Sequence, residues 1–441
     1  MLSVHTCPLA ILGGKRTGGM NVYVRELSRE LGRRGWAVDV FTHAENPRRP
    51  IEVGMAGNVR VMHVVAGPEK HISKNDLLRH LPEFTENMRA FARERGFRYD
   101  LIHSHYWLSG LVALELQRWW SVPIVQMFHT LGQMKNRVAL SAEGRELQAR
   151  LDAERSVIRQ ADRLVAATPI ERRQMMELYG ADPGNISVIP CGADLGLFRP
   201  IPQAEARHEL GLPDDHHLIL FVGRIDPLKG IDTLLKAIAN VLEEAPHWRG
   251  QVCVVIVGGQ VEDKPQDMSW EMQELHALRE RLGIQETVTF LGAQDQEVLP
   301  NFYSAADVVV MPSHYESFGM VALEAMASGT PVIASNVGGL SYIVRHGETG
   351  FLVPPRSPEA LAGNIRLLLD DAARRERMGK RGVQVSRHYS WGVIADQIEA
   401  LYAELLPERC YTRSNNRAIS ASMRAAQEPV SSPSGTSSAA F

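Results

Sequence analysis

Glu316 and Glu324 stand eight positions apart in the segment ESFGMVALEAMASGTPVIAS. A helix opening at Phe318 or Gly319 places Met320 and Val321 one turn behind Glu324, and Ala327 and Ser328 one turn ahead. The Glu324 carboxylate therefore has apolar or small neighbours and is expected to be buried. No Lys or Arg lies within a turn, and an unpaired buried charge is costly, so a pair of ligand hydroxyls is a suitable partner. Glu316 follows the apolar run DVVVMPS and is expected at the carboxyl edge of a sheet, where open α/β folds bind ligands. The plain alternative is two glutamates on the surface of an ordinary helix.

A second group of residues weakens that alternative. The run HLILFVGRIDPLKGIDTLLKAIANVL reads as a buried strand, a turn carrying Arg224 and Lys229, and a helix from near Gly230. Two cations beside a helix N-terminus suit a diphosphate. The glycine-rich run ending in Lys and Ser or Thr that marks a Walker loop is missing, as is the GxGxxG of dinucleotide folds. Further amides would come from Phe318, Gly319 and Met320 at the next helix start, where Gly319 lacks a Cβ to obstruct a phosphate.

The pair GR-x4-KG (Gly223 to Gly230) and E-x7-E (Glu316 to Glu324) resembles the donor half of retaining GT-B glycosyltransferases of family 4. In the first half, TGGMNVYVREL (Thr17 to Leu27), DLIHSHYWLSG (Asp100 to Gly110) and FHT (Phe128 to Thr130) resemble the mycothiol-pathway inositol-phosphate N-acetylglucosaminyltransferases, and less closely the sucrose-phosphate synthases. The similarity covers roughly residues 3 to 405.

These residues need a scaffold of the matching kind. With 441 residues, two domains are the prior, and 44% hydrophobic composition supports globular packing. Strand-like runs alternate with helical ones: WAVDVFT, VRVMHV, YDLIHSH, PIVQMFHT, DRLVAAT and ISVIPCG in the first half. After the linker GADLGLFRPIPQ the pattern restarts with LILFVGR, QVCVVIVGG, TVTFLG, DVVVMPS and TPVIAS. The fold class is α/β, two Rossmann-like domains with parallel sheets facing across a cleft. The expected divisions are 1–195 for the acceptor domain, 196–388 for the nucleotide-sugar domain, 389–408 for a helix and 409–441 for a disordered tail rich in Ser, Ala and Pro. The resemblance implies that the helix crosses back to the first domain. MLSVHTCPLAILGG reaches the loop glycines almost at once and contains Pro8, so either the first strand is short or the chain starts late.

A net charge of −3 gives no reason to expect nucleic acid, and no apolar run reaches membrane-spanning length. No secretory signal opens the chain, and Cys7, Cys191, Cys253 and Cys410 lack CxxC spacing. A reducing cytoplasm is expected. A homodimer is compatible with these readings.

Gly18 and Gly19 precede a helical pattern, so their backbone can approach a phosphate or sugar. With the resemblance, this loop faces the diphosphate across the cleft, Asn21 reaches the acceptor, and His129 stands beside the donor sugar. His103 and His105 alternate on one strand face but lack a third ligand, which favours structural or sugar-contacting roles over metal. Lys135 and Asn136 follow the FHT loop, which is expected to move on donor binding. The resemblance also implies that Lys74, Tyr106, Thr130 and Arg150 hold an acceptor phosphate. Two cations and two hydroxyls suit a dianion.

Together these expectations describe a retaining hexosyltransferase that moves GlcNAc or glucose from a UDP-sugar to a phosphorylated acceptor, with inositol phosphate favoured. Fructose 6-phosphate chemistry of the sucrose-phosphate synthase kind is the first alternative, and a non-catalytic sugar-nucleotide-binding module the second. Glu324 is expected on the ribose, Glu316 on the donor sugar, and Arg224 with Lys229 on the leaving diphosphate. No metal or cofactor is required on this reading, and no DxD-like motif is evident.

Overall fold

The computed structural model describes residues 1–10, 17–46, 48–139, 144–260 and 268–406. The expected tail, Gly13 and Gly14 of the first loop, and Cys410 lie outside them.

All six strands expected in the first half form: β1 (Val38–His43), β3 (Val59–Val64), β4 (Ile102–His105), β5 (Ile124–Met127), β6 (Arg163–Ala166) and β7 (Ile186–Val188). A seventh, β2 (Glu52–Ala56), makes a hairpin with β3 and pairs antiparallel at the sheet edge. Gly54 and Gly57 and the half-exposed pattern hid it from the sequence reading. The opening residues close the gap between β1 and β4. Leu2 bridges both Phe41 and Ser104, with Leu2 N donating to His103 O at 2.9 Å and Ser3 N to Phe41 O at 2.9 Å. Leu2 thus joins the two groups of strands, and the sheet reads β2-β3-β1-join-β4-β5-β6-β7.

The second sheet is wholly parallel, ordered β10-β9-β8-β11-β12-β13. Its members are β8 (His217–Val222), β9 (Val252–Val257), β10 (Val288–Gly292), β11 (Val308–Met311), β12 (Val332–Ser335) and β13 (Gly350–Val353). The last, four residues that open on Gly350 and are followed by Pro354, was not expected. The order reverses between β8 and β11, and in such sheets the crevice at that reversal receives the ligand. Arg224 and Lys229 follow β8, while Glu316 and Gly319 follow β11. The switch point of the first sheet lies between the join and β4, so Gly18 and Tyr106 flank it.

Helix Trp391–Leu405 returns to the first sheet. Its Tyr402 hydroxyl meets His103 Nδ1 at 2.7 Å, and its Asp396 and Glu399 bind Arg34 at 2.6 and 2.5 Å. Trp391 packs edge-on to Tyr23 with ring centroids 5.5 Å apart. One apolar cluster includes Tyr23 and Leu27 of the first domain, Trp391 and Ile394 of this helix, and Phe318 and Leu323 of the second domain.

Candidate active site

Close backbone packing shapes the second-domain half of the site. The turn Pro227–Lys229 ends at Gly230, with φ 66°, and helix Ile231–Glu244 follows. A Cβ at Gly230 would stand 2.1 Å from the Pro312 carbonyl, so only glycine fits. His314 N donates to Leu228 O at 2.7 Å and straps the turn to the chain after β11. The strap brings Lys229 Nζ to 2.5 Å from Glu316 Oε2. Arg224 lies nearby in sequence, with Nη2 3.4 Å from Asp226 Oδ2 and a half-exposed side chain.

Glu316 is held through its backbone by residues the sequence reading missed. Gly339 N donates to Glu316 O at 2.9 Å, and a Cβ on Gly338 would lie 2.0 Å from that oxygen. Two consecutive glycines in NVGGL were the available signal. Gly319, with φ 106°, caps helix Met320–Ala327, and a Cβ there would approach Leu340 Cδ2 to 2.7 Å. Phe318 is buried at the same turn. Glu324 is 7% exposed, as expected, but it has a protein partner that sequence spacing could not reveal. The Tyr303 hydroxyl donates to its Oε2 at 2.8 Å. Burial pushes the Glu324 pKa up to about 7, with the Tyr303 hydrogen bond pulling the other way.

Across the cleft, Gly18 precedes helix Gly19–Arg33. A Cβ on Gly19 would lie 3.0 Å from Met320 Sδ, so the two helix starts face each other closely. Asn21, expected to reach the acceptor, is turned into the loop here. It is 1% exposed, accepts from Gly18 N at 3.0 Å, and directs its amide hydrogens at Thr6 Oγ1 (2.6 Å) and Cys7 O (2.8 Å). With both donors committed, this side chain braces the loop instead of reaching outward.

His129 follows β5 with φ 61°, an uncommon conformation for a residue with a Cβ. Its Nε2 meets His105 Nδ1 at 3.1 Å, and the His103 and His105 rings stack 4.4 Å apart. Burial lowers the His129 and His103 pKa to about 3 and takes His105 well below its ordinary value, so the three rings are neutral near pH 7. A contact between two neutral imidazoles needs one N–H and one bare nitrogen, which couples the tautomers of His105 and His129. Among the described residues no group of three or more His, Cys, Asp or Glu is placed to hold a metal ion.

The four residues expected on the acceptor phosphate form one connected group: Lys74 and Arg150 meet at the Tyr106 hydroxyl, and Arg150 links Thr130 to them. Tyr106 opens helix Tyr106–Trp120 with φ 75°, and its hydroxyl accepts from Lys74 Nζ at 3.1 Å and Arg150 Nη1 at 2.9 Å. Arg150 Nη2 donates to Thr130 O at 2.8 Å and Oγ1 at 3.1 Å. Both partners of the Tyr106 hydroxyl are donors, so its own hydrogen is directed elsewhere. Arg150 is 1% exposed and its Nε binds Glu154 Oε1 at 2.8 Å. Glu154 in turn accepts from Gly132 N and from the Tyr179 hydroxyl. Burial opposes the guanidinium charge, but Tyr106, Glu154 and Glu146 outweigh it and keep its pKa high. His5, from the irregular opening segment, stacks on Tyr106 with ring centroids 4.3 Å apart, a neighbour the sequence did not reveal.

Two Rossmann-like domains, a crossing terminal helix and a site at both switch points define a GT-B glycosyltransferase. Two family models match the chain in order, Glycosyltransferase Family 4 over residues 17–197 and Glycosyl transferases group 1 over residues 202–385. A D-inositol 3-phosphate glycosyltransferase of Kineococcus radiotolerans is 43% identical over 423 residues, covering 94% of this chain and 96% of that protein. One from Acidothermus cellulolyticus is also 43% identical, over 93% of this chain and 90% of its own length. The solved sucrose-phosphate synthase of Thermosynechococcus elongatus superposes with a TM-score of 0.83 at 38% identity, covering 92% of this chain and 98% of that one. The chain belongs to the family 4 glycosyltransferases.

Proposed function

We propose that this enzyme transfers a hexosyl group, GlcNAc or glucose, from a UDP-sugar to a phosphorylated acceptor with retention of configuration, inositol phosphate being the favoured acceptor. The observation that carries the acceptor class is the Tyr106 hydroxyl, which gathers Lys74 and Arg150 while Arg150 also holds Thr130. Charge-assisted donors around a hydroxyl suit the oxygens of a phosphate dianion. Inositol phosphate is favoured because the relatives at 43% identity are named D-inositol 3-phosphate glycosyltransferases.

On this reading Glu324 receives the ribose hydroxyls and Glu316 the donor-sugar hydroxyls. Lys229 and Arg224 meet the charge that grows on the leaving diphosphate, and the amides of Phe318, Gly319 and Met320 add donors there. Gly18 and Gly19 cover the diphosphate from the facing domain, with His129 beside the sugar. The acceptor hydroxyl attacks the anomeric carbon from the leaving-group face and gives its proton to a departing phosphate oxygen. The enzyme works without a required cofactor, in a reducing cytoplasm where its cysteines stay as thiols. Three of them, Cys7, Cys191 and Cys253, are unpaired in the structure.

A second reading, transfer to fructose 6-phosphate, draws on the 38% identity to sucrose-phosphate synthase. Both readings need a phosphate pocket and differ in the ring that carries the phosphate. UDP-GlcNAc, UDP-glucose and GDP-mannose assayed against inositol phosphate and fructose 6-phosphate, with the product anomer read by NMR, tests both. Transfer with inversion, or no transfer from any UDP-sugar, overturns the proposal.

A further inference from the structure

Glu146 is a carboxylate at the acceptor pocket to which the roles above give no work. Its Oε1 lies 2.7 Å from Arg150 Nη1 and 3.0 Å from Lys135 Nζ. The same Arg150 nitrogen donates to the Tyr106 hydroxyl. The backbone N of Glu146 donates to Asn136 Oδ1 at 2.7 Å. Lys135 and Asn136, adjacent on the short helix Gly132–Val138, thus hold Glu146 by its charge and by its backbone.

The two acids around Arg150 are built differently. Glu154 is fully buried within helix Gln148–Gln160 and is bonded by Arg150 Nε, Gly132 N and the Tyr179 hydroxyl. It is a fixed counterion. Glu146 is partly exposed and precedes that helix, so its side chain can leave without disturbing regular structure. Burial favours its neutral form, but Arg150, Lys135 and Lys74 outweigh burial and hold the carboxyl below its ordinary range. It is an anion at neutral pH, bound by groups that also suit a phosphate.

We propose that Glu146 is a resident anion on the phosphate site, and that acceptor binding exchanges this carboxylate for the acceptor phosphate on Arg150 and Lys135. The inference rests on the phosphate-pocket reading given above. In the empty enzyme Glu146 keeps Arg150 and Lys135 paired. When the acceptor arrives, the dianion takes both cations together with Lys74 and Tyr106, and Glu146 turns to solvent. The exchange selects by charge, because an unphosphorylated sugar offers these cations only neutral oxygens and cannot displace a carboxylate.

The test uses the full-length enzyme with Glu146→Gln and Glu146→Ala, at fixed UDP-sugar and varied inositol phosphate, with inorganic phosphate as competitor. Removing the resident charge is expected to lower the acceptor KM and the phosphate inhibition constant together, by about tenfold, the low end for a charge-assisted bond. Donor KM should stay where it is. An acceptor KM that rises or holds steady in both folded variants overturns the inference. Lys74→Ala separates this failure from that of the underlying reading. If Lys74→Ala raises acceptor KM while the Glu146 variants leave it unmoved, the pocket stands and the resident anion falls. If Lys74→Ala has no effect and phosphate does not compete, the pocket itself is wrong, and the exchange falls with it.

Discussion

Lys229 Nζ lies 2.5 Å from Glu316 Oε2, although the two residues are 87 positions apart. The cation proposed for the leaving group is thus positioned by the acid proposed for the sugar, and both are presented by loops at one sheet switch point. Lys229→Ala is expected to lower kcat by a factor of about 10² to 10³, the scale for losing a preorganised charge-stabilising donor. Glu316→Gln should lower it too, since the lysine then loses its positioning partner. Steady-state kinetics at saturating donor decides. A near-normal kcat for Lys229→Ala removes the role.

Glu324 gives the enzyme a predicted pH dependence. Its pKa of about 7 lies above the ordinary 4.5, so between those values the folded protein holds a proton that the unfolded chain has released. Stability from this group is complete below pH 4.5 and is lost as pH rises through about 7. Wild type should therefore lose more thermal stability between pH 5 and pH 8 than Glu324→Gln, about those limits, by scanning calorimetry. Ribose hydroxyls favour the ionised carboxylate, so UDP should bind more tightly as pH rises toward 7 and should release a proton on binding. Titration calorimetry in buffers of different ionisation heat measures that proton, and none released would contradict the ribose assignment.

The acceptor cations should separate in their effects. Lys74→Ala is expected to raise acceptor KM roughly 10- to 150-fold, the equivalent of about 1.5 to 3 kcal/mol, with little loss of melting temperature. Arg150→Ala should raise KM as well and also destabilise the fold by something on the order of 3 kcal/mol, because the buried Glu154 loses its counterion. Kinetics and thermal denaturation on the same preparations test the split. Equal stability losses in the two variants would contradict it.

Gly319 allows a test of the turn on its own. Alanine there must adopt a φ of 106° and meet Leu340, a strain of about 1 to 3 kcal/mol. Gly319→Ala is expected to lower the melting temperature by several degrees and to weaken UDP binding, while acceptor KM is little changed. A variant with wild-type UDP affinity would show that the amides at this helix start do not meet the diphosphate.

Much of this was legible in the chain because the informative signals are local. Apolar runs such as LILFVGR and DVVVMPS are long and bounded by turn residues, and they formed β8 and β11 as read. Glu324 could be placed inside from its one-turn neighbours alone. What the sequence withheld depends on contacts between distant segments. Tyr303 reaches Glu324 from another helix, Gly338 and Gly339 press on Glu316 from the loop after β12, and the amide of Asn21 turns back to Thr6 and Cys7. The strand β2 escaped because glycine breaks its pattern, and β13 because its three apolar residues stand between Gly350 and Pro354 with no longer apolar run to mark them.

The chain passes between the domains twice, and the two passages touch. Ala193 N donates to Tyr389 O at 2.8 Å, Ala193 bridges Ser390, and a Cβ on Gly192 would strike the Trp391 ring at 2.7 Å. Two connections fastened side by side act as the leaves of a door hinge. Such a pair is expected to favour a swing about their common line over sliding or twisting of one domain over the other. The expectation is that any opening of the cleft follows that one swing, carrying Gly19 away from Met320 and returning it along the same path.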